Sequence, residues 1–337
     1  MEAPVKRNLF WAFLALLLVY LLPLALPSPP SAMAQAPTPS AAPAPSPSPV
    51  EATAAAEPAA PRELRLLLGD RVLSLSEEDY LVGVVAAEMP ASFPEEALKA
   101  QAVAARSYAR YCAATGKHPE ADLCADPGCC QAWQSEEALR EKWGEAYGDN
   151  LLRVRQAVEA TRGQILTYEG EPILAAFHSS SAGATEDCGA VWNPRPYLVS
   201  VSSPEGPEDV PGYRSMLRCA PLDFRDVILS ARPEADFSGP EEDWLGECRR
   251  DASGRVESLV LGGVSVSGTE LRRLFSLRST AFSLEYAEGM FVFSVTGFGH
   301  GVGMSQYGAM VMAREGADYR QILAHYYPGA ELGGEDG

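Results

Sequence analysis

At 337 residues, with 47% of positions apolar, the chain is long enough to bury one large core or two smaller ones, which excludes disorder throughout. Its formal net charge of -18, with no basic cluster beyond the first residues, repels phosphate backbones and argues against nucleic acid as a partner.

Lys6 and Arg7 precede an uncharged apolar run from Leu9 to Leu26, close to the ~20 residues that a membrane-spanning helix needs. Residues 1–27 therefore read as an anchor or signal segment. An anchor makes this a single-pass cell-membrane protein with its C-terminal part outside the cytoplasm; cleavage after the small-residue stretch "SAMAQA" would release it as a secreted protein. Residues 28–62 are rich in Pro, Ala and Ser, cannot bury a core, and read as a semi-extended linker. Folded sequence is expected over 63–335, with 205–275 as a possible smaller lobe.

The folded part opens on "ELRLLLG" and "RVLSLS", two strand-like runs around the turn residues Gly69 and Asp70. Ser76 then stands as a helix N-cap with Asp79 three residues on, and Pro90 ends that helix at Met89. Within it Leu81, Val84, Val85 and Glu88 recur at helical spacing, which puts a carboxylate on the apolar stripe in the last turn. Burial beside the negative end of a helix dipole disfavours ionisation, and a protonated Glu is a general acid. The plainer reading is a Glu turned out to solvent at a frayed end.

Next, "PEEALKAQAVAARSYARYCAATG" predicts a second helix, with Pro94 in its first turn and Gly116 as its stop. Its small residues permit close packing, and Gln101 and Arg106 lie among them. His118, Cys124, Cys129 and Cys130 follow within thirteen residues, a density of soft donors that suits a structural, four-ligand zinc site. A disulfide is the other reading, since the compartment is oxidising. A catalytic zinc fits less well, because it needs an open position and a nearby base. Cys219 and Cys248 could pair, and Cys112 and Cys188 are either paired or buried.

After the strand-like "EPILAAF", the loop "FHSSSAGATED" brings hydroxyls suited to sugar hydroxyls and acetamido groups, while Trp192 and Tyr197 offer stacking faces. The alternative is an ordinary turn around His178. "GFGHGVGMSQYGA" clusters four glycines around His300, where backbone approaches something closely; either it rims a ligand groove or it is a packing turn before a helix from Ser305 to Glu315. "DYRQILAHYYPG" closes the chain as a short helix.

Taken together, "EDYLVGVVAAEMPASFPEEALKAQAVAARSYA", "FHSSSAGATED", "VWNPRPYLVSV", "VSGTELRRLFSLRSTAF" and "GHGVGMSQYGAMVMAREGADYRQILAHYYPG" resemble, in order over most of 64–330, the stage II sporulation protein D family and the related amidase enhancer proteins. The resemblance implies a lytic transglycosylase that cuts peptidoglycan glycan strands during engulfment, after a partner amidase has stripped their peptides. It places the catalytic acid at Glu88. It also implies a zinc site of His, Cys, His and Cys, here His118, Cys124, Cys129 and Cys130, with Cys129 standing where the second His would be. The candidate substrate-binding residues are Arg106, Gln131, Ser179, Ser181, Thr185, Tyr197, His300, Gln306 and Tyr307. The expected fold is α+β, mixed sheets with several helices. The rival function is a non-catalytic wall-binding activator of an amidase.

Overall fold

The computed structural model describes residues 62–334; the apolar run Leu9 to Leu26 and nearly all of the proline-rich tract lie outside the described residues. Among the described residues no helix is long and apolar enough to cross a membrane.

Strands β1 (Glu63–Leu68) and β2 (Arg71–Ser76) form the expected hairpin, with Leu68 opposite Arg71 and Gly69 in the turn at φ +59°. Helix α1 (Glu77–Glu88) begins at Ser76, whose hydroxyl accepts the Asp79 amide at 3.1 Å, and stops where Pro90 holds Met89 extended. Helix α2 (Glu95–Thr115) ends on left-handed Gly116. Strand β3 (Leu123–Cys124) pairs in parallel with β1, and α3 (Glu136–Trp143) and α4 (Tyr147–Ala160) follow.

The run "EPILAAF" is not a continuous strand. It splits into β5 (Glu171–Pro172), paired with β4 (Ile165–Tyr168), and β6 (Phe177–His178) in another sheet. Between them the Ala175 and Ala176 amides bond the carbonyls two residues back, at 2.9 and 2.8 Å, and these tight turns carry the chain from one sheet to the other.

Strand β7 (Arg214–Cys219) and helix α5 (Pro221–Ala231) lead into β8 (Leu245–Arg250), β9 (Val256–Leu261) and β10 (Val264–Ser267). Helix α6 (Gly268–Leu274), strands β11 (Phe282–Ala287), β12 (Met290–Thr296) and β13 (Met304–Ser305), helices α7 (Gln306–Arg314) and α8 (Tyr319–Tyr326), and β14 (Glu331–Gly333) complete the order. The sheets are small, orders β2-β1-β3, β10-β9-β8, β11-β12-β7, β13-β6 and β14-β4-β5, and mix parallel with antiparallel pairs. The fold is α+β, as the sequence leads one to expect.

Two hydrophobic clusters fill the interior. The larger surrounds α2, whose Ala97, Ala100, Ala102, Ala104, Ala105 and Ala109 are wholly buried and let α1, α4, α7 and α8 approach closely. The smaller gathers Phe224, Trp244, Phe291 and Phe293 between α5 and the strands β7 to β12, with the Phe224 and Phe291 rings stacked at 4.0 Å. Cys219 and Cys248 stand unpaired on strands of different sheets, and Cys112 and Cys188 are buried thiols.

Arg106, expected among the substrate-binding residues, is instead fully buried in this interior and lines no groove. Its guanidinium donates to the carbonyls of Thr161 (2.7 Å), Gln164 (3.2 Å) and Val158 (3.4 Å) at the end of α4 and pairs with Glu77 (3.3 Å) and Glu78 (3.6 Å) at the start of α1. Arg110 closes on Glu77 from the next turn at 2.6 Å. Burial lowers the Arg106 pKa, and Glu77 and Glu78 offset that. Replacing Arg106 with Ala orphans three carbonyls and unbalances two carboxylates, so stability in chemical denaturation should fall by about 3–5 kcal/mol. Lys, a single-point donor, should recover only part of it.

Candidate active site

Leu81, Val84 and Val85 are wholly buried, so the stripe of α1 carries inward to its last residue, half-buried Glu88. The Ala132 amide donates to Glu88 Oε1 at 2.9 Å and the Gln306 side chain to Oε2 at 3.3 Å. Burial raises the Glu88 pKa, and the two hydrogen bonds pull it only partly back. The carboxyl is thus biased towards the protonated form that donates a proton.

Each donor is placed by its own local device. The segment carrying Ala132 lies along α1 at Gly83, where Gln134 donates to the Gly83 carbonyl at 3.3 Å; a Cβ at Gly83 would sit 2.2 Å from Trp133 Nε1. Gln306 opens α7 directly after β13, which pairs in parallel with β6 so that Ser305 faces His178. That pairing needs glycine at 303, since a Cβ there would meet the Ala176 carbonyl oxygen at 2.0 Å. This is what the glycine-rich loop approaches. Beneath it Glu205, buried, accepts from the Ser181 amide (2.6 Å) and the hydroxyls of Ser203 (2.6 Å) and Ser305 (2.5 Å).

Glu88 lines two cavities that share no other residue, one of about 1050 Å³ and one of about 370 Å³. Gln131, Ser179, His300 and Gln306 join it on the larger, together with Trp192, Lys117 and Arg272. His300 is half-buried against Trp192, and desolvation with the nearby Arg272 charge lowers its pKa to about 4, so it is neutral. His178 is also neutral by burial: its Nδ1 hydrogen goes to the Val302 carbonyl (3.3 Å) and its Nε2 accepts from the Ser181 hydroxyl (2.7 Å).

Five of the expected substrate-binding residues stand elsewhere. Arg106 is the interior clamp described above. Ser181 is buried between His178 and Glu205. Thr185 uses its hydroxyl to accept the Val201 amide at 2.9 Å. Tyr197 is buried, accepts the Leu174 amide at 3.2 Å and packs on Tyr168, so its face is not open for stacking on a ligand. Tyr307 packs edge-on to Phe93. The sequence reading assigns no role to Glu205, Lys117 or Arg272, although Arg272 lies within one of the stretches that carry the resemblance. It also passes over Glu186, a buried acid raised to about 7 by burial and Asp251, which pairs with Arg255 at 3.5 Å away from the cavities.

His118, Cys124, Cys129 and Cys130 converge, their donor atoms all within 4.8 Å of one another. His118 Nε2 lies 3.2 Å from Cys130 Sγ and 3.7 Å from Cys129 Sγ, and the cysteines are free thiols. Three sulfurs and an imidazole at this spacing match the demands of one tetrahedral soft cation. Burial pushes Cys124 up to about 12, and the neighbouring Cys112 sulfur, then burial, raises Cys130, so these groups would shed protons on taking up a metal. Cys129 and Cys130 also line the larger cavity, three and two residues before the Ala132 amide that reaches Glu88.

Comparison with known proteins decides the family. A stage II sporulation protein D from Bacillus amyloliquefaciens is 37% identical over 264 residues, covering 77% of this chain and 74% of the relative. The chain belongs to the stage II sporulation protein D family. The Bacillus subtilis protein of that name is 36% identical over 264 residues, 77% of this chain and 75% of its own. The family model described as "Stage II sporulation protein" matches residues 70–168, a span holding Glu88 and the four metal-donor candidates. A Bacillus subtilis amidase enhancer is 30% identical over 303 residues, 75% of this chain and 40% of its own.

Because the folded-state pKa of Glu88 is raised, its contribution to stability is fully present below the ordinary carboxylate range and is lost as pH rises through the folded value. Glu88→Gln removes that loss. Its stability relative to the unsubstituted protein, followed by denaturant midpoint across pH 4 to 8, should therefore increase with pH and level off once Glu88 is ionised.

Proposed function

We propose that this protein is a lytic transglycosylase acting on peptide-stripped peptidoglycan strands in sporulation, with Glu88 as its acid and then its base. The observation that carries the reading is the solitude of that carboxyl: among the described residues, Glu88 is the sole acid lining either cavity. Hydrolysis by the common glycosidase route uses two carboxylates, one for the leaving oxygen and one for water or the anomeric carbon. A muramic acid residue carries its own nucleophile, the 6-hydroxyl. Glu88 gives its proton to the glycosidic oxygen as the C1–O4 bond breaks, and Gln306 and the Ala132 amide hold the resulting carboxylate. That carboxylate then takes the proton of the 6-hydroxyl as O6 bonds to C1. A 1,6-anhydro end forms, no water is consumed, and Glu88 is protonated again.

The four donors would hold a structural zinc, which when bound closes the loop that feeds residues 131–134 along α1. Four protein ligands leave no position for substrate. The apolar segment Leu9 to Leu26 supports a single-pass anchor with the folded part outside the cytoplasm, facing the wall. The similarity to an amidase enhancer supports a second reading, a wall-binding activator of an amidase that cuts nothing itself.

Peptide-free strands incubated with residues 62–337 should yield fragments one water lighter than hydrolysed ends by mass spectrometry, and Glu88→Gln should slow this by roughly 10²- to 10⁴-fold while remaining folded. Binding without cleavage by either protein would favour the activator. Protein purified without chelator should contain about one zinc per chain, and stripping it should lower the melting temperature. Absence of zinc together with oxidised cysteines would overturn the metal assignment.

A further inference from the structure

The larger cavity is lined by one carboxyl, Glu88, and two cations, Lys117 and Arg272. Lys117 is committed, since its ammonium donates to the Cys129 carbonyl and faces the thiols of the metal cluster. Lys142, in the adjoining cavity, donates to the Ala86 carbonyl at 3.0 Å. Arg272 differs from both: among the described residues its guanidinium has no ion pair and no hydrogen-bond partner, and its Nε is buried. The nearest charge acting on it is another cation, Arg255, itself matched by Glu186. Burial and that repulsion lower its pKa. In a chain of net charge -18, a half-buried guanidinium left without a carboxylate is costly to keep and is suited to an anion from outside.

The glycan strand itself limits which anion that is. Its repeating sugars carry neutral hydroxyls and acetamido groups, and the ionisable group they own is the carboxyl of the lactyl ether on muramic acid. That carboxyl is tied up as an amide wherever a peptide is attached and becomes an anion when the peptide is removed. Resting on the transglycosylase reading of this cleft, we propose that Arg272 is a specificity-determining residue that pairs with the free lactyl carboxylate of muramic acid. The site then selects stripped strands by attraction to the group that stripping exposes, and not only by lack of room for peptide. The guanidinium fork is the donor geometry that a planar carboxylate accepts in two bonds.

The test compares peptide-stripped strands with the same strands after carbodiimide coupling to methylamine, which turns each lactyl carboxylate into a neutral amide of nearly equal size. Unsubstituted protein should cut the carboxylate strands about 10- to 100-fold more efficiently, chiefly through KM, and Arg272→Gln should lose that preference. Arg272→Lys should keep part of it. Melting temperatures should not fall in either variant, since a desolvated cation is being removed or kept. Equal cutting of both preparations by the unsubstituted protein would overturn the role of Arg272 and leave the transglycosylase intact. If neither preparation is cut, affinity measured by calorimetry with the same strands decides: tighter binding of the carboxylate form that disappears in Arg272→Gln upholds the pairing without the enzyme, and equal or absent binding overturns it.

Discussion

A single buried guanidinium sets the frame on which the cleft is built. Arg106 ties the carbonyl end of α4 to the acidic start of α1 across the body of α2, so three helices share one fixed point. Its charge is tolerable there because carbonyl oxygens and two carboxylates replace water around it. With α1 pinned at its first turn and capped by Ser76, the far end of the same helix has little freedom, and that end is Glu88. The geometry of the acid is thus inherited from an ion pair eleven residues upstream in the same helix.

Around Glu88 the structure balances two opposed effects. Desolvation favours the protonated carboxyl, and the donors at Ala132 and Gln306 favour the carboxylate. The proposed reaction, in which the acid also acts as a base, needs both, since a site that only repelled charge would hold the anion poorly after the proton leaves. The donors come from distant parts of the chain. Ala132 follows the cysteine cluster, and Gln306 sits 218 residues from Glu88, delivered by the parallel pairing of β13 with β6 and the hydroxyl ring around Glu205.

What the sequence makes legible is what is encoded locally. The turn at Gly69 and Asp70, the Ser76 cap, the stop at Pro90 and the Gly116 terminus are each set by a few adjacent residues, and the hairpin and first two helices stand where those signals put them. The metal-donor set is legible because four soft donors of the right chemistry fall within thirteen residues, where one short loop can fold them together. Long-range placement is a different matter. Arg106 reads as a substrate-binding candidate because the small residues around it give no hint that three helices pack there. Thr185 and Tyr197 advertise hydroxyl and ring, but the fold spends both on backbone amides. "EPILAAF" reads as one strand by composition, yet two tight turns divide it between sheets. Arg272 stays silent because its distinction is the lack, among the described residues, of a carboxylate beside it.

Glu88 forms part of the wall of two separate hollows rather than the floor of one. A pocket closed behind its acid admits a polymer only by its terminus, and cleavage then nibbles from chain ends. An acid with room on both flanks makes no such demand: the interior of a long strand can be laid across it, and no terminus has to be found first. On the transglycosylase reading, that difference decides whether a strand whose ends are scarce can be cut at all.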